Sequence, residues 1–391
     1  MSALAKLKSQ NETFTKWRRH IHQHPEIAFE EDATSDYVAN LLKEWGVDNI
    51  DRGMAKTAVV ATIKGKKPGN ENRAIGIRAD MDALPMPEET NLPYASKHAG
   101  KMHACGHDGH TAMLLAAVKH LAETRDFAGT VHAIFQPAEE GAGGGNVMVQ
   151  EGFFDKFPCE AVFAMHNWPW LEAGHMAICE GAMSAASDAY EIGITGKGGH
   201  AAFPHNTHDV VVCGAQIVSA LQHLVSRTTD PLHSAVVSVC NFHAGSGAKN
   251  VLPETATLSG TVRTLDPADR DRIEKKMHDV TKSIAAAFDC SVEVNYKRGY
   301  PSTVNTPKET EFARSVAVDV VGADKVHEFV PMMGGEDFSY FLEACPGAYI
   351  ILGGAKTDSD PGLHNTHYDF NDDVLPVGAA YWVRMVEKWL G

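Results

Sequence analysis

The sequence lacks any apolar run that could cross a bilayer, since no stretch approaches the roughly 18 apolar residues that a transmembrane helix needs. Its first ten residues, MSALAKLKSQ, contain no apolar core of the length found in signal peptides. Basic residues are few, because 35 lysines and arginines stand against 50 acidic residues, for a formal net charge of −15. Nucleic acids and anionic membranes bind basic patches, so the overall charge argues against both as partners. We therefore expect a cytoplasmic protein.

The sequence also lacks a disulfide framework, because its seven cysteines are scattered and odd in number. Six of them lie mostly in apolar runs, which predicts buried thiols at Cys159, Cys179, Cys213, Cys240, Cys290 and Cys345. Cys105 differs, because it lies among histidines. The chain has 21 histidines, and their clustering is the first indication of function.

The length of 391 residues suggests two domains, and the hydrophobic fraction of 44% is normal for a soluble globular protein. Helical and strand patterns alternate over the first 180 residues. This region predicts helices at 12–23, 34–45 and 111–121 and strands at 58–63, 74–80, 130–137 and 161–169. Such an order predicts an α/β fold with a mostly parallel sheet and helices on both faces.

The pattern changes after Met183. Strands and two long amphipathic helices follow in the order β-α-β-β-α-β, which is typical of a ferredoxin-like split unit. The α/β pattern then resumes at about residue 300 and ends in a helix. We therefore predict a small domain at 185–297, inserted into a larger domain made of 1–184 and 298–391.

The densest group of chemically active side chains is HACGHDGH at 103–110. Cys105 and His107 are two residues apart, so in an extended loop they point the same way. Thiolate and imidazole are good ligands for borderline metals. A helix cap with a few surface histidines is the alternative, but a cysteine, a histidine and an aspartate packed within four residues favour a metal site.

A second group, QPAEEGAGGG at 136–145, places two carboxylates directly after a strand. Consecutive side chains project differently, so one can bind a metal while the other faces a substrate or a water. The carboxyl end of a parallel strand is where α/β folds place active sites. A solvated acidic turn is the alternative. A phosphate loop is excluded because the Lys-Ser/Thr of that motif is missing.

Two single histidines complete a plausible ligand set. His166 ends the apolar strand AVFAMH, and His364 lies in the polar loop GLHNTHYDF. Either one alone is more often structural. Asp80 and Asp82, at the end of AIGIRAD, are placed to orient a ligand histidine by hydrogen bonding.

The ordered motifs resemble one known family. They are RADMDALPM, MHACGHDGH, FQPAEEG, AMHNWP, TGKGGHAAFPH, NVLPETATLSGTVR and LHNTHYDF. Together they resemble the aminoacylase and hippurate hydrolase group of dinuclear metallo-amidohydrolases, which includes the hydrolases of indole-acetyl amino acids. The resemblance covers essentially the whole chain. It implies a Zn-peptidase-like catalytic domain interrupted by a lid domain that also forms a homodimer.

The same resemblance implies roles for individual residues. The metal ligands would be Cys105, His107, Glu140, His166 and His364. Glu139 matches the general base of the family, and His200 matches a lid-domain histidine that polarises the substrate carbonyl. Asn250 and Arg263 match positions that contact substrate. The cofactor would be two divalent ions per chain, of Mn, Zn, Co or Ni, and the substrate a small N-acyl amino acid.

The chain departs from the broader superfamily at two places. Asp80-Met81-Asp82 stands where that superfamily has a metal-binding His-x-Asp. Cys105 stands where many relatives use a bridging carboxylate. Both departures fit the aminoacylase and hippurate hydrolase subgroup.

The mechanism that these residues predict is attack by a metal-activated water, with Glu139 accepting its proton and passing it to the leaving amine. The metals and His200 would stabilise the oxyanion. Three alternatives differ in their consequences. A dipeptidase or carboxypeptidase would use the same site on other substrates. A cysteine hydrolase with Cys105 as nucleophile would not need metal and leaves the two glutamates without a role. A non-enzymatic metal-binding relative would most naturally have lost Glu139.

Overall fold

The structure is a computed structural model and describes residues 3–69, 72–357 and 359–391. In these ranges the helices are α1 (Ala3–Lys8), α2 (Asn11–Gln23), α3 (Asp32–Glu44), α4 (His107–Thr124), α5 (Gly144–Gln150), α6 (Phe153–Lys156), α7 (Val210–Ser226), α8 (Pro267–Ala287), α9 (Pro307–Val321), α10 (Ser339–Ala344) and α11 (Leu375–Trp389). The strands are β1 (Asn49–Arg52), β2 (Val59–Lys64), β3 (Ala74–Asp80), β4 (Thr130–Gln136), β5 (Ala161–Glu172), β6 (Met176–Ile178), β7 (Gly181–Ser184), β8 (Ala186–Thr195), β9 (Gly199–His200), β10 (Ala235–Ala244), β11 (Val251–Leu252), β12 (Thr255–Thr264), β13 (Ser291–Lys297), β14 (Thr303–Asn305), β15 (Val326–Glu328) and β16 (Gly347–Ala355).

The chain divides into two compact units. The large unit consists of Met1–Gly181, Val304–Val330 and Asp337–Gly391. The small unit consists of Ala182–Thr303 and Pro331–Glu336. Each unit has its own hydrophobic core, so each is described by itself.

An eight-stranded sheet forms the centre of the large unit, in the order β1-β2-β4-β3-β5-β16-β6-β15. The four central strands β4, β3, β5 and β16 run parallel to one another. Antiparallel pairs occur towards the edges, between β1 and β2, β2 and β4, and β6 and β16. The large sheet is thus mixed, with a parallel centre.

Burial explains why these segments form central strands. Six of the seven residues of β3 and of β4 are buried, as expected for strands covered on both faces. Helix α4 packs on β3 and β5, and its own residues are mostly buried because α11 and α2 cover it further. The core therefore surrounds β3, β4, β5 and α4, and it fixes their ends rigidly.

The register of the parallel strands brings three polar positions to one level. Asp80 at the end of β3 pairs with Gln136 at the end of β4. Arg78 pairs with Ala164 on the other side, so His166, two residues further along β5, continues that register to the level of Asp80. The carboxyl ends of parallel strands thus present their polar side chains together, which is where α/β folds bind ligands.

Helix α4 begins at His107, four residues earlier than the predicted start at Thr111. Gly106 precedes it with φ +94°, a left-handed conformation that side chains rarely adopt. A Cβ at Gly106 would also lie 2.2 Å from Oδ1 of Asn167. The HACGHDGH segment is therefore not wholly a loop, because its second half is the first turn of a helix.

The small unit contains a four-stranded antiparallel sheet in the order β10-β12-β8-β13. Its elements follow the chain as β8, α7, β10, β12, α8 and β13, apart from short strands in the connections. Both helices begin with an aspartate cap: Asp209 accepts from the second and third N–H groups of α7, and Asp266 does the same for the first turn of α8. These caps fix where α7 and α8 begin. The two helices are the long amphipathic helices that the sequence pattern predicted.

The prediction of buried thiols is confirmed for Cys179, Cys213 and Cys345, whereas Cys159 and Cys290 are only partly buried. The prediction is wrong for Cys240, which is exposed. It lies on β10, an edge strand of the small unit's sheet, beside an irregularity of pairing between Val239 and Asn241. Beyond that point all residues of β10 are exposed. The apolar run around Cys240 suggested burial, but it belongs to an edge strand, whose backbone hydrogen-bonding groups are unpaired on one side. Within the described parts of the chain, no helix is both long and apolar enough to traverse a bilayer.

Candidate active site

Three potential metal ligands converge in the large unit. The Sγ of Cys105, a ring nitrogen of His107 and a ring nitrogen of His166 all lie within 4.8 Å of one another, and all three residues are buried. The Nε2 of His166 is 3.3 Å from Sγ of Cys105. A thiolate and two imidazoles are ligands that suit zinc and neighbouring transition metals.

A second group shares the same cysteine. Ligand atoms of Cys105, Glu140 and His364 also lie within 4.8 Å of one another. Oε1 of Glu140 is 3.2 Å from Nε2 of His364 and 4.0 Å from Nε2 of His107. The structure thus brings all five residues together that the resemblance implied as ligands. Cys105 stands in both groups, where a thiolate could bridge two cations.

The two buried imidazoles are oriented by contacts at Nδ1. Nδ1 of His107 lies 2.9 Å from the carbonyl oxygen of Asp82 and 3.2 Å from its Oδ1. Nδ1 of His166 lies 2.7 Å from the carbonyl oxygen of Asn167. Each Nδ1 therefore donates, which leaves Nε2 as the coordinating nitrogen, the arrangement that ligand histidines commonly use.

Asp80 lies behind this group and is fully buried. It accepts from Nη1 of Arg78 at 2.7 Å, and its Oδ1 is 2.6 Å from Nδ1 of His110. Nε2 of His110 is in turn 2.7 Å from Oδ1 of Asn167, whose amide donates to the hydroxyl of Tyr368 at 2.6 Å. Asp80 therefore orients His110, while Asp82 contacts His107.

The charges of the site perturb its titrating groups. Burial, with the carboxylates of Glu140 and Glu139, raises the pKa of Cys105 well above its ordinary value. Burial alone would lower the pKa of His107, but the carboxylates of Asp80 and Asp82 raise it to about 10. Negative charge therefore accumulates around the point where Sγ and the Nε2 atoms converge.

These features fit a bound divalent cation. Nε2 of His107 is buried, and among the described residues it has no hydrogen-bond partner, although Nδ1 is fully engaged. A buried polar atom of this kind is rare unless a ligand satisfies it. The surrounding carboxylates would also repel one another without a cation. The donor set, two overlapping groups of soft and hard ligands, suits two transition-metal ions.

Glu139 lies beside this ligand set. It is buried, and its carboxylate lies within 4.8 Å of ligand atoms of His107 and Glu140. The residue before it, Ala138, has φ +58°, and the candidate ligand His364 has φ +60°. Left-handed backbone at residues other than glycine costs energy and concentrates at functional sites. One of these strained residues, Ala138, directly precedes Glu139, and the other, His364, is itself part of the candidate site.

The remaining predicted site residues belong to the small unit. His200 lies on β9, where it pairs with Val251 of β11, and the backbone N–H of Ala201 donates to the carbonyl of Asn250 at 3.0 Å. His200 and Asn250 are therefore neighbours, and both are exposed. Arg263 lies on β12, where its guanidinium donates to the carbonyls of Val262 and Asp188.

Sequence reasoning missed several residues that hold the site. His110 could have been found, because it lies one turn after His107 in the same motif. Arg78, Asp337 and Glu31 could not, because nothing in the sequence shows that residues so far apart meet. Arg78 donates to Gln136, Asp80 and Asp337, and all four side chains are fully buried.

Comparison with known proteins gives a consistent result. The family model described as Peptidase family M20/M25/M40 matches residues 76–388. A hippurate hydrolase from Campylobacter jejuni is 42% identical over 379 residues, which are 96% of each chain. An N-acetyl-L-cysteine deacetylase from Bacillus subtilis is 39% identical, over 95% of this chain and 87% of the relative. An IAA-amino acid hydrolase from Arabidopsis thaliana is 38% identical, over 95% of this chain and 84% of the relative.

A solved structure agrees with these matches. A dinuclear metal binding peptidase of the M20 family from Bacillus subtilis superposes with a TM-score of 0.85. It is 33% identical in sequence, and the alignment covers 98% of this chain and 99% of that one. The resemblance drawn from the motifs is therefore confirmed.

The contact between Asp82 and His107 yields a prediction. Asp82→Ala keeps the backbone carbonyl beside Nδ1 of His107 but removes the carboxylate that also contacts this ring and that accepts from the N–H of Glu140. The affinity for a divalent metal should therefore fall by about 10- to 100-fold. Metal content after dialysis against a graded chelator would measure this. Asp36→Ala removes an exposed aspartate paired with Arg52 and serves as the control. Equal metal retention in the two variants would contradict the role given to Asp82.

Proposed function

Because this chain belongs to peptidase family M20/M25/M40 and is therefore a hydrolase of C–N amide bonds, we propose that it cleaves N-acyl amino acids with a free carboxylate. The observation that carries this proposal is the pair of ligand groups that share Cys105, with the carboxylate of Glu139 beside them. The names of three relatives give hippurate, N-acetylcysteine and IAA-amino acids as substrates. All three are acyl groups joined by an amide bond to an amino acid.

Five residues would hold two divalent ions of Mn, Zn, Co or Ni: Cys105, His107, Glu140, His166 and His364. When bound, such ions act as Lewis acids that polarise the substrate carbonyl and lower the pKa of a water from about 16 towards 7. Cys105 is suited to a bridging role by its place in both groups. Asp82 and Asn167 orient the two buried imidazoles, so the ligand geometry is fixed before substrate arrives.

Glu139 is proposed as the general base. Its carboxylate is close enough to the ligand atoms to accept the proton of the attacking water and then donate it to the leaving amine. Glu140, the next residue, directs Oε1 towards His364 and is proposed as a ligand. The backbone N–H of Glu140 donates to Oδ2 of Asp82 at 2.9 Å, which holds the two glutamates in different orientations.

Residues of the small unit are proposed to bind substrate. His200 would polarise the carbonyl oxygen, and Asn250 would donate a hydrogen bond. Arg263 would bind the free carboxylate through its guanidinium. An ordinary salt bridge between strands would give Arg263 a structural role, but in the described part of the chain no carboxylate lies within ion-pair distance of its guanidinium. Its contacts are instead with backbone carbonyls and the hydroxyl of Thr261, so a substrate carboxylate could serve as its counter-ion.

We propose that the large unit is the catalytic domain, and that the small unit is a ferredoxin-like lid and dimerisation domain corresponding to predicted residues 185–297. Its strand order and element order support the ferredoxin-like assignment. The edge strand β10 and the start of α7 expose Phe242, Val211 and Val212. An open strand edge beside exposed apolar side chains is suited to two-fold pairing with a second copy.

A cysteine hydrolase is less well supported. A cysteine nucleophile needs a lowered pKa so that the thiolate forms. Cys105 is buried, and burial together with Glu140 and Glu139 raises its pKa. A thiol in this environment is better suited to binding a cation than to attacking a substrate.

The proposed activity is tested with metal-free enzyme that is re-supplied with single metals. N-acetyl, N-benzoyl and dipeptide substrates should be hydrolysed only after Mn, Co, Zn or Ni is added, because the water must be activated. Product amino acid is measured beside metal content by elemental analysis. Full activity in the metal-free sample would refute the metal mechanism. Cleavage confined to dipeptides would favour the dipeptidase alternative.

The two glutamates should differ when each is changed to glutamine. Glu139→Gln keeps its shape but cannot accept a proton, so kcat should fall by at least about a hundredfold while metal content stays near normal. Glu140→Gln should reduce metal content, because it removes a charged ligand. Exchanged phenotypes would reverse the two assignments.

Arg263 should determine the preference for a free carboxylate. The wild type should cleave an N-acyl amino acid much faster than its C-terminal amide, and Arg263→Ala should lose that preference. Arg263→Lys keeps the charge but loses the two-point hydrogen bonding, so kcat/KM should fall by about tenfold or more. The ratio of kcat/KM for acid and amide is the measurement. An unchanged ratio in Arg263→Ala would return this residue to a structural role.

A further inference from the structure

Glu31 is a fully buried carboxylate that lies just before helix α3. Its Oε1 accepts a hydrogen bond from the backbone N–H of Ala138 at 2.9 Å. Its Oε2 accepts from the hydroxyl of Thr57 at 2.7 Å. A carboxylate 107 residues away in sequence therefore holds the Pro137–Ala138 peptide, at the residue before Glu139.

The backbone around Glu139 is held on both sides by carboxylates. Before it, Glu31 binds the N–H of Ala138; after it, Oδ2 of Asp82 accepts from the N–H of Glu140 at 2.9 Å. The carbonyl of Ala138 also accepts from the N–H of Gly144 at 2.9 Å. The orientation of the Glu139 side chain thus follows from peptides whose positions are fixed by buried acceptors.

Ala138 needs such an anchor because its backbone is strained. Its φ of +58° lies in the left-handed region, which costs a non-glycine residue roughly 1–3 kcal/mol and persists only when the surroundings enforce it. Its N–H is buried, since Ala138 is fully inaccessible to solvent, so no water could replace the acceptor. Loss of the Glu31 carboxylate would leave the N–H of this peptide without its acceptor, while its carbonyl, that of Pro137, would keep the hydrogen bond from the Gln136 amide.

The side chain of Glu31 makes no capping hydrogen bond at the start of α3, where only its backbone carbonyl accepts, from the N–H of Ser35. Glu26 supplies that cap: its carboxylate accepts from the N–H groups of Ala33 and Thr34 and from the Thr34 hydroxyl. The Glu31 side chain instead points to Thr57 and Ala138. Its carboxylate therefore serves the loop that carries Glu139.

We propose that Glu31 is a positioning residue that fixes the Ala138 peptide and thereby holds Glu139 in its catalytic orientation. This inference rests on the proposed function, which makes Glu139 the general base. A displacement of a catalytic group by about 1 Å can lower the rate about a hundredfold, so an anchor at the adjacent peptide controls kcat. The Glu31 carboxylate acts through its hydrogen bonds to Thr57 and Ala138.

The test compares Glu31→Leu, Glu31→Gln and Glu26→Ala in the metal-loaded enzyme. Glutamine offers an amide oxygen to Ala138 and an amide N–H to the Thr57 oxygen, so it preserves both contacts. Burial raises the pKa of Glu31 to about 7, so a neutral side chain resembles its protonated form. Glu26→Ala weakens the start of α3 without touching Ala138 and controls for damage to that helix.

We expect kcat to fall at least about tenfold in Glu31→Leu, and KM and metal content to stay within about twofold. Glu31→Gln should stay within about threefold of wild type in kcat, and Glu26→Ala should lower the melting temperature but not kcat. Should Glu31→Leu fail to fold, Thr57→Val removes only the contact to Oε2 and should give a smaller fall in kcat. Equal losses of kcat in Glu31→Leu and Glu26→Ala, or in Glu31→Gln and Glu31→Leu, would overturn the proposal.

Hydrogen exchange gives a readout that does not depend on activity. The amide of Ala138 should exchange faster in Glu31→Leu and remain protected in Glu31→Gln. Unchanged protection in Glu31→Leu would overturn the anchoring role whatever the kinetics. If the wild type hydrolysed no N-acyl amino acid with any metal, the proposed function would fail, while the exchange rates would still show whether Glu31 fixes this peptide.

Discussion

The centre of the large unit depends on Arg78, whose buried guanidinium compensates the charge of buried carboxylates. Its guanidinium donates to Gln136 at the end of β4, to Asp80 at the end of β3 and to Asp337. Removing one partner of a buried ion pair typically costs about 3–5 kcal/mol, because the other charge remains uncompensated. Arg78 therefore allows the carboxylates of Asp80 and Asp337 to be buried away from water. Through Asp80 it orients His110, and through Asp337 it also holds the N–H of Gly145 in the first turn of α5.

The ligand set combines rigid and strained elements. Cys105, His107 and His166 lie on or beside α4 and β5, which the core fixes in place. Hydrogen bonds at Nδ1 set the ring orientations of the two histidines. Glu139 and His364 come instead from loops. The backbone is left-handed at Ala138 in the first loop and at His364 itself in the second. Rigid elements and the residues beside them thus supply the shared cysteine and two imidazoles, and the loops supply the proposed base, Glu139, and the proposed ligands Glu140 and His364. The strain in the loops is sustained by buried acceptors such as Glu31.

Much of this arrangement could be predicted from sequence, because it follows from local patterns. Alternation and helical periodicity predicted β3, β4 and α7, and motif order predicted which histidines meet. The start of α4 was placed too late, since the role of Gly106 depends on its contact with Asn167, which no local pattern shows. The exposure of Cys240 depends on β10 being an edge strand, which is a property of strand order rather than of composition. Glu31 was missed because its partner is 107 residues away.

The insertion of the small unit also has a consequence for how the protein is made. Strand β5 pairs with β3 on one side and β16 on the other, and most of the small unit lies between β5 and β16 in the chain. During synthesis the growing chain emerges from its N-terminal end, so Cys105, His107 and His166 leave the ribosome long before β16 and His364. The small unit is nearly continuous in sequence, so it can fold before β16 joins the sheet of the large unit. A ribosome-bound chain would therefore offer three soft ligands to the cell's metal pool on a sheet that still lacks one central strand.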